Sequence, residues 1–153
     1  YEEVYAKQII ALEITKPSEQ GFKALIRPYR VGGSILLFMQ PVGRQEYDNL
    51  HFLERHNLLP TEIQQQCFWL QANQAAPPDQ IRETCYEAST LRGMRLPTEP
   101  HAAAEFINWC LGVEVFKNML ECKIFPRKGD PHAHELTHDG VEQFWTEVSK
   151  LLK

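Results

Sequence analysis

The chain has 153 residues, 43% of them apolar and 24% charged, with a formal net charge of −4. That length can bury a sizeable core and suits one globular domain over 1–153. The acidic balance argues against a general nucleic-acid or anionic-membrane binder, which would need a basic face, and the longest apolar run, Ile35 to Met39, is too short to cross a bilayer.

Position 1 is Tyr, so the chain reads as trimmed or as a domain of a longer protein. The first segment admits two elements, a helix over Glu2 to Leu12 or a strand over Ile9 to Thr15. Lys16-Pro17-Ser18-Glu19-Gln20-Gly21 breaks either one. The strongest β pattern follows. Phe22 to Val31 and Ser34 to Val42 are apolar, β-branched or aromatic runs joined by Gly32-Gly33, which suits a two-residue hairpin turn. Pro28 cannot donate a ladder hydrogen bond, so its strand is expected at an edge or a bulge. Ile35 to Met39 is apolar on both faces and should be a covered, central strand.

From Gln45 the period changes. Tyr47, Leu50, Leu53 and Leu58 predict a helix over 45–58. Pro60 and Thr61 open a helix to Ala72, with Cys67 to Leu70 as a competing strand. Pro78-Asp79 opens another, carrying Ile81, Cys85 and Ala88 and ending near Arg92-Gly93. Thr98 is expected to cap the next helix, with Pro100 in its first turn. Its apolar stripe runs through Ala103, Phe106, Ile107, Cys110 and Leu111 and on to Val113, Phe116 and Leu120. Cys122 to Phe125 suggests a short strand. Val141 to Leu152 is an amphipathic helix expected to turn Val141, Phe144, Trp145, Val148, Leu151 and Leu152 inward. The sum is a helix-rich α+β domain on a small antiparallel sheet, with its β-hairpin near 22–42.

One short string has the outline of a reaction mechanism: His134-Glu135-Leu136-Thr137-His138. On a helix this H-E-x-x-H spacing puts two imidazoles on one face to share a zinc, with the glutamate beside the metal-bound water. Over these five residues the chain resembles the zincin metallopeptidases. The resemblance implies zinc on His134 and His138 and Glu135 as general base. Its flanks depart from that family. Gly129-Asp130-Pro131-His132 precedes the string, Gly140 follows it, and fifteen residues remain downstream to bring a third ligand.

Two helix starts compete. With Asp130 as cap and Pro131 first in the helix, His134, His138 and Glu142 stack one turn apart as a three-ligand edge. With Thr137 as cap, His134 and Glu135 lie in a loop and the string has no helical meaning. Asp139 and Gly140 ahead of the apolar run favour the later start.

The remaining candidates are weaker. Cys67, Cys85, Cys110 and Cys122 include no close pair, which argues against a zinc site built from all four; they read as reduced, buried thiols of a cytoplasmic protein, with a pair of disulfides as the lesser alternative. His56, next to Arg55, reads as part of a solvated pair. Arg27 and Arg30 form one basic cluster and Arg92 with Arg95 a second. Arg27, Tyr29 and Arg30, on an edge strand, form a candidate partner-binding patch. The expected function is therefore a non-enzymatic protein-interaction domain: an adaptor, a chaperone-like protein or an assembly subunit with a protein partner and no cofactor. The alternative is a small zinc-dependent hydrolase using 134–138.

Overall fold

The structure, a computed structural model, describes residues 10–17, 34–38, 40–74, 76–122, 124, 128–136 and 140–152. Three short strands, β1 (Leu12–Thr15), β2 (Ser34–Leu37) and β3 (Gly93–Arg95), form one sheet in the order β1-β2-β3. The helices in chain order are α1 (Arg44–Arg55), α2 (Glu62–Asn73), α3 (Pro78–Ala88), α4 (Pro100–Gly112), α5 (Val115–Leu120) and α6 (Gly140–Leu151). A 3-10 turn, Ala133–Leu136, precedes α6.

The sheet is parallel, which overturns the antiparallel hairpin expected near 22–42. β2 pairs in parallel with β1, Glu13 opposite Ile35, and with β3, Leu36 opposite Met94. Both edges of β2 are thus taken, so no edge is left for a hairpin partner. Its expected partner strand, Phe22 to Val31, and Gly32-Gly33 lie outside the described residues. Parallel pairing needs a long crossover, and between β2 and β3 the chain supplies one that carries α1, α2 and α3. The covered strand expected over Ile35 to Met39 is covered only as far as Leu37: Ser34–Leu37 is buried on both faces, the usual state of a strand in a parallel sheet, while Phe38 is 48% exposed and Met39 lies outside the described residues.

The pleat divides the core in two. Ile35 and Leu37 point to one side, where Leu50 and Leu53 of α1 meet Leu58, Leu59, Ile124 and Leu136. Leu36 points to the other side with Met94 and packs among Phe68 of α2, Ala88 of α3, Phe106 and Cys110 of α4, and Val115, Phe116 and Met119 of α5. Helices therefore cover both faces of the sheet, and side-chain alternation along one four-residue strand serves both layers.

Local chemistry sets most element ends. Thr61 caps α2 through a capping box with Gln64, in which each side chain serves the other's backbone N–H. At α4 the cap is Glu99, whose carboxylate accepts from Ala102 N at 2.8 Å, rather than Thr98. The helix expected to run from there past Gly112 breaks at Glu114, which takes a φ of +61°, before α5 resumes. α1 ends in a full Schellman motif. Leu58 N donates to Leu53 O at 2.8 Å and Asn57 N to Glu54 O at 3.0 Å, with Asn57 left-handed at φ +54°.

β3 has no alternation that would announce it, and it falls where a helix end was expected. Its first residue is a glycine for a steric reason. A Cβ there would meet Leu59 Cδ2 at 2.9 Å and the Ile35 carbonyl oxygen at 3.2 Å. Arg92, just before it, is not part of a surface patch. It is 0% exposed, and its guanidinium donates to Cys122 O at 2.8 Å. Cys122 and Ile124 form no strand.

Candidate functional site

The described part of the H-E-x-x-H string, His134 to Leu136, is a 3-10 turn and not an α-helix. His134 and Glu135 sit on the 3-10 turn, and α6 begins at Gly140. His138 and Thr137 lie outside the described residues. Asp130 does cap, but only a turn: its Oδ1 accepts from His132 N at 2.8 Å. His134 and Glu142 therefore belong to different elements. The His134 Nδ1 lies 3.1 Å from Pro131 O, and the His134 carbonyl accepts from Gln143 Nε2 of α6 at 3.2 Å. Among the described residues, no group of three or more His, Cys, Asp or Glu is placed to hold a metal ion.

Glu135 turns away from that chemistry and toward the end of α1. Arg55 grips its Oε2 with Nε at 2.8 Å and a second guanidinium nitrogen at 2.7 Å. His56 Nε2 lies 3.2 Å from the same oxygen, and His132 Nδ1 lies 3.0 Å from Oε1. Facing a carboxylate, each of these ring nitrogens must be the one that carries hydrogen. Burial opposes charge on Glu135, but the bonds from Arg55, His56 and His132 outweigh it and push its pKa down to about 2. A carboxylate held this way is a strong acceptor and a poor proton acceptor in catalysis, because a general base works best with a pKa near the operating pH.

His56, expected as half of a solvated pair, is buried instead. Its ring packs 4.5 Å from the Phe52 ring, centroid to centroid, and its Nδ1 lies 3.9 Å from Asp130 Oδ2 without a hydrogen-bond partner. Arg55 also lies over the Phe52 ring, 5.4 Å from its centroid. Nothing in the sequence connects Arg55 and His56 with Glu135, some eighty residues away. The Schellman turn at Asn57 and the Asp130 turn bring them together.

The other sequence candidates divide in the same way. Arg27, Tyr29 and Arg30 lie outside the described residues. Arg95 is not free, since its guanidinium pairs with Glu54. Cys110 is buried, which pushes its thiol pKa well up, and Cys85 is raised by burial and by nearby Glu114. Neither has the depressed pKa of a reactive thiol.

α6 departs furthest from expectation. Its stripe was expected to face inward, yet no residue of the helix is buried. Phe144 is 61% exposed, Trp145 60% and Val141 72%, with Leu151 and Leu152 more exposed still. The spacing of these residues, with half-buried Val148, puts them on one face. The two rings meet edge to face, 5.5 Å between centroids. Amphipathicity was legible in the sequence; what the apolar face would meet was not.

No protein-family model, curated protein or solved structure matches the chain. Among the described residues, no helix is long and apolar enough to cross a membrane.

Proposed function

We propose that this chain is a non-enzymatic protein-interaction domain that presents α6 to an apolar groove on a partner protein. The observation that carries this reading is the exposed stripe of Val141, Phe144, Trp145 and Leu151 on one amphipathic helix, continued by Leu152 just past its end. Such stripes are the anchors of helix-in-groove recognition. Burying a side chain of this size is worth about 1.5–3 kcal/mol, so Phe144 and Trp145 can act as the anchors. The reading needs no cofactor. A cytoplasmic setting fits the free thiols of Cys67, Cys85 and Cys110. The clamp on Glu135 weighs against the hydrolase alternative, which needs that carboxylate as a base.

A photo-crosslinking amino acid at Trp145 tests the proposal in cells. One discrete protein adduct is expected, absent when the probe is at Arg82 on α3 and abolished by Phe144→Asp. A chain with no adduct at 145, one zinc per molecule and a hydrolytic activity lost in Glu135→Gln would be an enzyme instead.

A further inference from the structure

The strands of a parallel sheet all end on the same side, so the loops beyond those ends are gathered at one edge of the sheet. Here that side holds a cavity of about 700 Å³, within the usual size range of small-molecule sites. Gln40, beyond β2, and Arg95, Pro97, Thr98 and Glu99, at and beyond the end of β3, contribute to it, with Thr61, which caps α2, and Glu62, Gln65 and Trp69 of α2. A smaller cavity sharing Trp69 and Arg95 extends to Pro17, beyond β1. A cavity of similar volume lies between α2 and α3, but Thr84 and Gln71, two of its buried or half-buried polar side chains, already satisfy each other at 2.8 Å.

Gln65 distinguishes the strand-end cavity. It is 2% exposed, and its Oε1 accepts from Arg95 N at 2.9 Å. That bond fixes which end of the amide is which, and the Nε2 left over has no acceptor. A buried amide donor without a partner is a cost that an arriving acceptor would relieve. Trp69 is held by its own N–H on Arg95 O at 3.1 Å, which presents an indole wall beside Pro60 and Pro97.

Charge narrows the ligand. Glu54, Glu62 and Glu99 line the cavity with one guanidinium, and that guanidinium is already paired with Glu54. The net negative charge left by Glu62 and Glu99 repels a phosphate or a carboxylate. A purely cationic ligand would leave the Gln65 Nε2 unanswered. A hydroxyl both accepts and donates, so a vicinal diol can take the amide hydrogen and give its own to a carboxylate, while a ring C–H face rests on apolar walls. We infer that the cavity at the carboxyl ends of the strands is a binding site for a neutral, ring-borne diol, the chemistry shared by a monosaccharide and the ribose of a nucleoside. This site is independent of α6 and its partner.

Titration of the ¹⁵N-labelled full chain with D-glucose and, separately, with adenosine tests it. At least one should give saturable shifts at the Gln65 side-chain amide, the Trp69 indole N–H and the Arg95 amide, and which one does so distinguishes sugar from nucleoside. Glucose 6-phosphate or spermidine should bind at least tenfold more weakly than the neutral ligand. Gln65→Leu should weaken binding at least tenfold. Should that variant not fold, Glu62→Lys at the exposed start of α2 should narrow the gap between glucose 6-phosphate and the neutral ligand. Saturable shifts from neither neutral probe, or tighter binding of either charged one, would overturn the inference.

Discussion

Replacing Glu135 by Gln separates a structural carboxylate from a catalytic one. The substitution keeps the shape but turns an acceptor oxygen into an NH₂ facing donors on Arg55, His56 or His132. A carboxyl held at about 2 against an ordinary 4.5 corresponds to about 3 kcal/mol of preference for the charged form. Arg55 is 38% exposed on its side chain, so solvent screening brings the expected loss to about 2 kcal/mol at neutral pH. For a chain of this length that lowers Tm by about 4–8 °C.

The pH dependence carries the sign. The folded pKa lies below the unfolded one, so the stabilisation is fully present above pH 4.5 and is lost as pH falls through the folded value near 2. Urea denaturation of both proteins between pH 7 and pH 2.5 should give a difference of about 2 kcal/mol that shrinks steadily below pH 4.5. Equal stability at pH 7, or a difference that stays constant down to pH 2.5, would refute the clamp.

Substitutions at three further positions probe the frame around the site, each read by urea denaturation at pH 7. Gly93→Ala should cost about 1–3 kcal/mol, because the added methyl meets Leu59 and the Ile35 backbone and neither can retreat freely. Asn57→Gly should hold or raise stability while Asn57→Ala lowers it by about 1 kcal/mol, since the Schellman turn needs a left-handed residue there. Leu36→Ala should cost about 2–5 kcal/mol, for Leu36 is fully buried at the centre of the larger core cluster.

The contrast between β2 and its partners explains what could be read from the chain. Ile35-Leu36-Leu37 is apolar on both faces, and that suffices to make it a covered strand. Its neighbours are another matter. Gly32-Gly33 offers good hairpin chemistry, but β2 pairs instead with Leu12–Thr15 and with a three-residue strand that has no pattern of its own. Strand pairing is a long-range choice, decided by how the helices of the crossover cover the two faces. Helix starts depend on contacts within one or two turns, so they were legible: α1, α2, α3 and α4 begin within a few residues of where spacing and caps put them, while the end of α4 at Gly112 was not.

The same division runs through the candidate site. Local chemistry suffices for the capping box at Thr61 and for the apolar stripe on α6, because both are made by residues three or four apart. Whether that stripe is covered depends on what packs beside it, and among the described residues nothing buries it. Five residues can spell H-E-x-x-H, but their meaning depends on the backbone they adopt and on the groups they meet. Packing decided both. A 3-10 turn replaced the helix, and Arg55 and His56, brought from eighty residues away, made Glu135 a clamped anion.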